Sequence, residues 1–523
     1  MALEQVLNEA AEEALDEAVE LDAKAPQKPN PIRQLARAVR ATHTLGHANG
    51  RPFVVPIAGG DAPGAVPGVA YWGAELRRML TKIGREISGC PPVSRTMGDT
   101  VLLQLEADAF DHPETDLALR FHDAGDRIVL DLGCPDGHAV TITANGWDTG
   151  PAPRDVTFRR SHAIRPLPVP TRGGTLGELA PLLALDPHGE TFRGLLGWTT
   201  GLAFCSSSRP GLVLTGAPGN GKSTRQRLAI SIVEPTAATD FSKHFGRNID
   251  DDEVRALHRA VPAWDNVSSL SWLASDALCV MITGGSREGR KLYTDDSMSS
   301  AAIMRPVAMT AVATPAGLKP DALDRLVVLD VQTPAARLAD AEVQHRFDTL
   351  HPGLLGAWCD AVAAVLRWRP CTAMPDGNPR MAGYAHHLAA LDAAVAAGDL
   401  KGCPGDLLGA WSNAHTRVQQ QTAADDTFGG ALIAMLEKIP LTYTPDDPVP
   451  AHRWEGKAGD LLGDYRLMTA AGNRAQPGWP ASPRGVPVVL SQLKEPLAAC
   501  RVTWTVTTPN HGRGNTYLIT LRD

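Results

Sequence analysis

The sequence predicts an α/β fold built on a parallel sheet, and three observations carry that prediction. Residues 216–223, GAPGNGKS, stand between a short apolar run at 212–214 and a helical stretch that ends before Pro235. Further apolar runs at 261–265, 305–312 and 326–330 alternate with helical segments, the pattern that parallel strands require. At 523 residues the chain is too long for one hydrophobic core, so this α/β unit is one of several domains.

The glycine segment fills the pattern G-x-x-x-x-G-K-[ST] at every fixed position. Glycines at 216, 219 and 221 let the backbone take positive φ and turn its N–H groups toward phosphate oxygens. Lys222 would reach the β- and γ-phosphates, and the Ser223 hydroxyl would ligate Mg²⁺. A helix opening at Lys222 adds the positive end of its dipole. The expected cofactors are therefore ATP and Mg²⁺, held by Gly216, Ala217, Pro218, Gly219, Asn220, Gly221, Lys222, Ser223 and Thr224.

Five segments are expected. Residues 1–30 form an acidic helical segment and linker, with eight carboxylates against two lysines. Residues 31–170 form a mixed α/β domain with a β-meander, marked by alternating runs at 127–132 and 138–143 and an Asn145-Gly146 turn. The nucleotide-type core spans 171–335 and opens with a capping box, Thr175 to Glu178. A helical lid and linker cover 336–450, with Leu354, Leu355, Trp358, Val362, Val365 and Leu366 on one apolar stripe. Residues 451–523 form a separate unit carrying nine basic and five acidic side chains.

Composition excludes several classes. The formal charge of −8 argues against whole-body attraction to nucleic acid, although the basic tail is compatible with a local contact. No apolar stretch approaches the ~20 residues of a membrane helix, and the acidic N-terminus is unlike a signal peptide. A cytoplasmic protein is expected. Eight scattered cysteines form no C-x-x-C pair, and adjacent His386 and His387 cannot share a helical face, so no metal cluster is expected.

Hydrolysis needs an acid to orient the metal, and Asp265, at the end of the 261–265 run, is the candidate. Pro262 is awkward there because proline cannot donate to a central ladder, so a turn aspartate is the alternative. A glycine-rich basic hairpin follows at 283–294, with Arg287, Arg290 and Lys291.

Taken in order, GxPGxGKST, DNVSxL, SDALCxxxTGG, LYTDD, RPV and PDxLxRLVxL resemble helicase-type ATPases of actinobacterial phages and integrative elements. Those proteins are similar to superfamily III helicases and viral primase–helicases, within the AAA+ class. The likeness covers roughly residues 30–400. It implies an AAA+-like P-loop core, with Asp265 as the metal-orienting acid and Asn266 beside the γ-phosphate or attacking water. Arg287, Arg290 and Lys291 would then line a DNA channel, against the alternative of a solvated turn. Arg305 and Arg325 would be sensor or finger residues, one reaching a neighbouring subunit, against the alternative of structural arginines. Thr310 stands where the family usually places a sensor asparagine, which implies slower hydrolysis. No primase signature is present in the sequence.

The last unit reads as a winged helix. A helix at 456–471, a second lined by Val488, Leu490, Leu493 and Leu497, and a hairpin tipped by Arg513 carry that reading. Arg484, Lys494 and Arg513 are the candidate DNA contacts, although winged helices also bind proteins. The expected function is an ATP-dependent, helicase-like DNA motor in mobile-element replication. Single-stranded or forked DNA is its expected partner, along with replication proteins, and a ring oligomer such as a hexamer is its expected assembly. The alternative is a DNA-binding ATPase switch that does not unwind.

Overall fold

The computed structural model describes residues 30–48, 50–57, 66–161, 163–285, 289–290, 298–299, 303–334, 338–376, 380–444, 447–472, 479–508 and 515–522. At its centre four strands, β1 (Gly211–Thr215), β2 (Ala263–Trp264), β3 (Ala308–Thr310) and β4 (Leu326–Asp330), pair in parallel in the order β2-β3-β1-β4. Every β1 residue is buried, as expected where helices cover both faces of a parallel sheet. Pro262 fits because β2 is only two residues long and ends this sheet; its carbonyl accepts the Ala308 N–H at 3.0 Å.

Local signals in the sequence correspond to local structure. Thr175 and Glu178 form the capping box, with the Thr175 N–H donating to Glu178 Oε2 at 2.8 Å. The meander runs through Phe121–Asp123, Arg127–Asp131, His138–Thr143 and Gly146–Pro151, all antiparallel. The linker at 165–174 docks on the long helix Asp340–Trp368, where Thr171 N–H donates to Pro352 O at 2.9 Å. Contact is so close that a Cβ on Gly356 would lie 1.9 Å from Thr171 O.

The division of the core differs from the expected segments. Ile128, Leu130, Val140 and Ile142 of the meander share one continuous core with β1–β4 and the helix Asp340–Trp368. Trp147 Nε1 donates to Asp360 Oδ1 at 2.8 Å, and the Phe121 and Trp358 rings lie 5.9 Å apart. Residue 170 is therefore not a core boundary, and neither is 335. Among the described residues before 165, the helices Pro31–Thr42, Gly73–Glu86 and Arg95–Phe110, with nearby strand residues, hold a core of their own, and two smaller clusters form around Val129 and Phe158 and around Ala48 and Phe53. Alternation shows that a strand has an apolar face; it does not show what that face meets.

Helix Asp340–Trp368 also corrects the membrane reading. With the turn after it, the segment to Cys371 is long and apolar enough to cross a membrane by length and composition, yet 72% of its apolar window is buried inside the protein. It is a core helix.

The C-terminal core begins near Ala423 and Phe428, earlier than 451. Its sheet joins Leu441–Thr444, Asp447–Lys457, Val502–Thr507 and Thr516–Arg522 in the order given by first, second, fourth, third. The expected helix at 456–471 is instead a strand end followed by Ala458–Gly463 and Tyr465–Ala471, broken at Asp464, whose carboxylate caps the second helix. The expected second helix is also split, into Val486–Gln492 and Lys494–Ala499. The hairpin pairs Val502 with Leu521, Trp504 with Ile519 and Val506 with Tyr517. The acidic segment before residue 30 lies outside the described residues.

Candidate functional site

In a parallel sheet all carboxyl ends face one way, and ligands gather beyond them where the strand order reverses. Here β1 and β3 are neighbours, so the 216–223 loop leaves β1 beside the end of β3. Gly216, Gly219 and Gly221 all take positive φ (139°, 82° and 72°), and helix Lys222–Ser231 starts directly after. At Gly216 the requirement is strict, since a Cβ would stand 2.4 Å from Val331 O.

Two side chains that the sequence reading gave no separate role anchor this loop. Asn220, buried, donates from Nδ2 to Val331 O at 2.7 Å and accepts at Oδ1 from Thr333 Oγ1 at 2.8 Å. Arg225, also buried, donates to Leu183 O at 2.5 Å, Ala184 O at 3.1 Å and Asn220 O. Apart from Asn220 O, their partners lie far along the chain, so no local pattern reveals them. Lys222 Nζ donates to Gly216 O at 2.8 Å and Ala217 O at 2.9 Å, which holds its charge over the loop.

The acid meets the loop directly. Asp265 follows β2, and its Oδ1 accepts from Ser223 Oγ at 2.6 Å and Thr310 Oγ1 at 2.5 Å. Asn266 sits in the left-handed region, φ 59°, and its N–H donates to Thr310 Oγ1 at 2.9 Å. A hydroxyl and a carboxylate in contact are hard oxygen donors of the kind Mg²⁺ takes while keeping most of its waters. Among the described residues no three His, Cys, Asp or Glu side chains group as a metal site. All eight cysteines are free thiols. His387 is buried against Thr200, and His386 pairs with Thr372 O at 2.8 Å.

Arg305 and Arg325 are not at this end of the sheet. Each precedes its strand, so both lie at the amino ends, opposite the loop. Arg305 donates to Ala256 O at 3.2 Å and Met304 O at 2.9 Å. Arg325 pairs with Asp321 at 2.5 Å and donates to Cys279 Sγ at 3.6 Å. Neither is placed as a sensor for the loop of its own chain, and Arg325 is paired with Asp321 of the same chain. The basic hairpin is described only as Gly289–Arg290 paired antiparallel with Met298–Ser299. Arg287, Lys291 and Arg513 lie outside the described residues. Arg484 and Lys494 are exposed on the C-terminal unit.

Fold and site together define an α/β protein whose parallel sheet presents a glycine loop, a hydroxyl and a carboxylate at one end. Residues 187–407, which contain all three, match the family described as "Actinomycete integrative conjugative element replication protein". The chain is thus similar over that segment to replication proteins of mobile elements. Solved structures similar to it include "The A form apo structure of NrS-1 C terminal region-CTR", at 11% identity and TM-score 0.32, covering 74% of this chain and 93% of that one. Another is an apo structure of the same NrS-1 region, at 10% identity and TM-score 0.34, covering 74% and 94%. No curated protein matches the chain.

Proposed function

We propose that this chain is a cytoplasmic, Mg²⁺- and ATP-dependent motor that acts on DNA in mobile-element replication, with an AAA+-like P-loop core. The observation that carries the reading is the meeting of Ser223 and Asp265 at 2.6 Å beside a loop of three positive-φ glycines. Lys222 would transfer its two bonds from loop carbonyls to phosphate oxygens. Ser223 and Asp265 would hold Mg²⁺, which when bound neutralises charge on the β- and γ-phosphates. Thr310 fixes Asp265 through its hydroxyl, and Asn266 follows in the left-handed region with its N–H donating to the same hydroxyl.

The family match over 187–407 supports the replication context. The basic residues Arg287, Arg290 and Lys291 in the sequence support contact with single-stranded or forked DNA, and Arg484, Lys494 and Arg513 would supply further basic contacts from a C-terminal unit read as a winged helix. A ring with an arginine supplied in trans remains part of the proposal, although Arg325 is held by Asp321.

The test is ATP turnover with and without single-stranded DNA, for wild type and an Arg290→Ala/Lys291→Ala variant. Turnover stimulated by DNA in the wild type, with stimulation lost and basal turnover kept in the variant, supports the motor. No turnover at all, or stimulation untouched by the substitutions, contradicts it. The second reading, an ATPase switch that does not unwind, draws on Thr310, whose hydroxyl is engaged by Asp265 and Asn266. Strand displacement on a forked duplex separates the two.

A further inference from the structure

A cavity of about 270 Å³ opens where the chain before residue 165 meets the amino end of β3. Five arginines line it: Arg51, Arg120 and Arg159 from one side, Arg209 and Arg305 from the other. None of its lining residues belongs to the glycine loop, and neither Asp265 nor Thr310 contributes.

Two carboxylates share the wall, Asp116 and Asp123. Asp123 is already engaged, accepting from Ser206 N–H at 3.0 Å, Ser206 Oγ at 2.5 Å and Gly125 N–H at 2.9 Å. Glu234, buried nearby, accepts from the Ala260 and Val261 N–H groups at 3.1 and 2.7 Å.

The arginines are held mainly by neutral groups. Arg120, fully buried, donates to Asp131 O and Arg165 O, both at 2.8 Å. Arg209, 4% exposed, donates to Leu202 O at 2.8 Å and Met304 O at 3.1 Å. Arg159 lies 4.9 Å over the Trp72 ring and 3.5 Å from His258 Nδ1. Carbonyls orient a guanidinium without cancelling its charge; Glu234 and Asp131 offset part of the charge of Arg120, Asp123 part of that of Arg209, and Glu234 and Asp116 part of that of Arg305, which leaves five cations facing two wall carboxylates. The Nε atoms of Arg120, Arg159 and Arg209 are buried with no hydrogen-bond partner among the described residues. Burial first, then the neighbouring cations Arg51 and Arg305, pulls Arg159 down to about 10. Arg209 is likewise pulled down to about 10 by burial, with Arg305 adding to it.

We propose that this cavity binds the phosphate of a small phosphorylated molecule, either a free nucleotide or inorganic phosphate. Guanidinium forks match phosphate oxygens in pairs, and the Arg159 fork stands over the half-buried Trp72 ring in the same wall. The volume suits a small anion enclosed from both sides of the cavity. Arg305 belongs to this site and not to the glycine loop.

The test uses the full chain carrying Lys222→Ala, which disables the loop. It is titrated calorimetrically with sodium phosphate, with AMP and with a single-stranded oligothymidylate. Arg159→Met, Arg51→Met and Arg209→Met are added singly to that background, with melting curves checking the fold. Arg209→Met risks the fold because it loses Leu202 and Met304, so Arg159→Met and Arg51→Met carry the test if it does not fold. The expected result is one phosphate or AMP per chain, weakened at least tenfold by Arg159→Met. Binding of both identifies phosphate itself as the recognised group; AMP alone identifies a nucleotide; each supports the site. No binding of either at millimolar concentration overturns the proposal. Binding that Arg159→Met and Arg51→Met leave unchanged also overturns it, as does binding of the oligonucleotide alone.

Discussion

Thr310 Oγ1 lies 2.5 Å from Asp265 Oδ1, and the same oxygen accepts the Asn266 N–H at 2.9 Å. One hydroxyl on β3 thereby fixes both the carboxylate and the backbone turn that follows β2. The relationship depends on strand order, because β3 lies between β1 and β2 and delivers Thr310 to the acid. In sequence Thr310 is a departure from a family pattern. In the fold it is the residue that aims Asp265.

Replacing Thr310 by valine keeps the shape and removes the hydroxyl. It leaves Asn266 N–H unpaired, at a cost of about 1–3 kcal/mol, and frees Asp265 to rotate. We expect ATP turnover to fall by about tenfold to a hundredfold, with Thr310→Ser close to wild type. Steady-state kinetics on the two variants checks this, and equal turnover in all three proteins would remove Thr310 from the site.

Gly216→Ala tests the loop's geometry. The residue needs φ 139°, and its new methyl would meet Val331 O at 2.4 Å. Strain at such positions costs about 1–3 kcal/mol, so the urea midpoint should drop and nucleotide affinity with it. Gly463→Ala, where a Cβ meets nothing within 4 Å, is the control expected to leave both unchanged.

Asn220→Ala should loosen the loop without touching the acid. It removes the bonds to Val331 O and Thr333 Oγ1, worth about 1–2 kcal/mol together. Nucleotide affinity should weaken while turnover at saturation changes little, a split that titration and kinetics together resolve.

His387 supplies a pH dependence. Complete burial pushes its imidazole down to about 3, from an ordinary 6.5. Between those values the unfolded chain takes up a proton that the folded chain refuses, so stability is full above about pH 6.5 and declines as pH falls toward 3. From this group alone the loss by pH 5 is about 2 kcal/mol. Urea midpoints at pH 7.5 and 5 should show a steeper drop in wild type than in His387→Gln; equal drops would contradict the assignment.

The loop was legible in the sequence because its constraint is local: glycine spacing, the lysine and the hydroxyl occupy eight consecutive residues. The capping box at Thr175 was legible from a four-residue pattern, whereas for Asp265 the apolar run left a turn aspartate as the alternative, and the resemblance favoured the acid that the fold places against Ser223. What sequence could not show was long-range. Asn220 and Arg225 are set by carbonyls at 331 and 183, and the meander's inner face meets a helix more than two hundred residues away. Arg305 and Arg325 looked alike as basic residues before apolar runs. Only the parallel sheet shows that such positions fall at the end opposite the loop.

The central claim is that the 216–223 loop holds ATP through Lys222. Equilibrium binding of Mg·ATP to the full chain and to its Lys222→Ala variant, with melting curves confirming that both are folded, tests it most directly. The account predicts one ATP per loop in the wild type and a loss of at least tenfold in affinity, together with all turnover, in the variant. A folded variant that binds and hydrolyses ATP as the wild type does would contradict it.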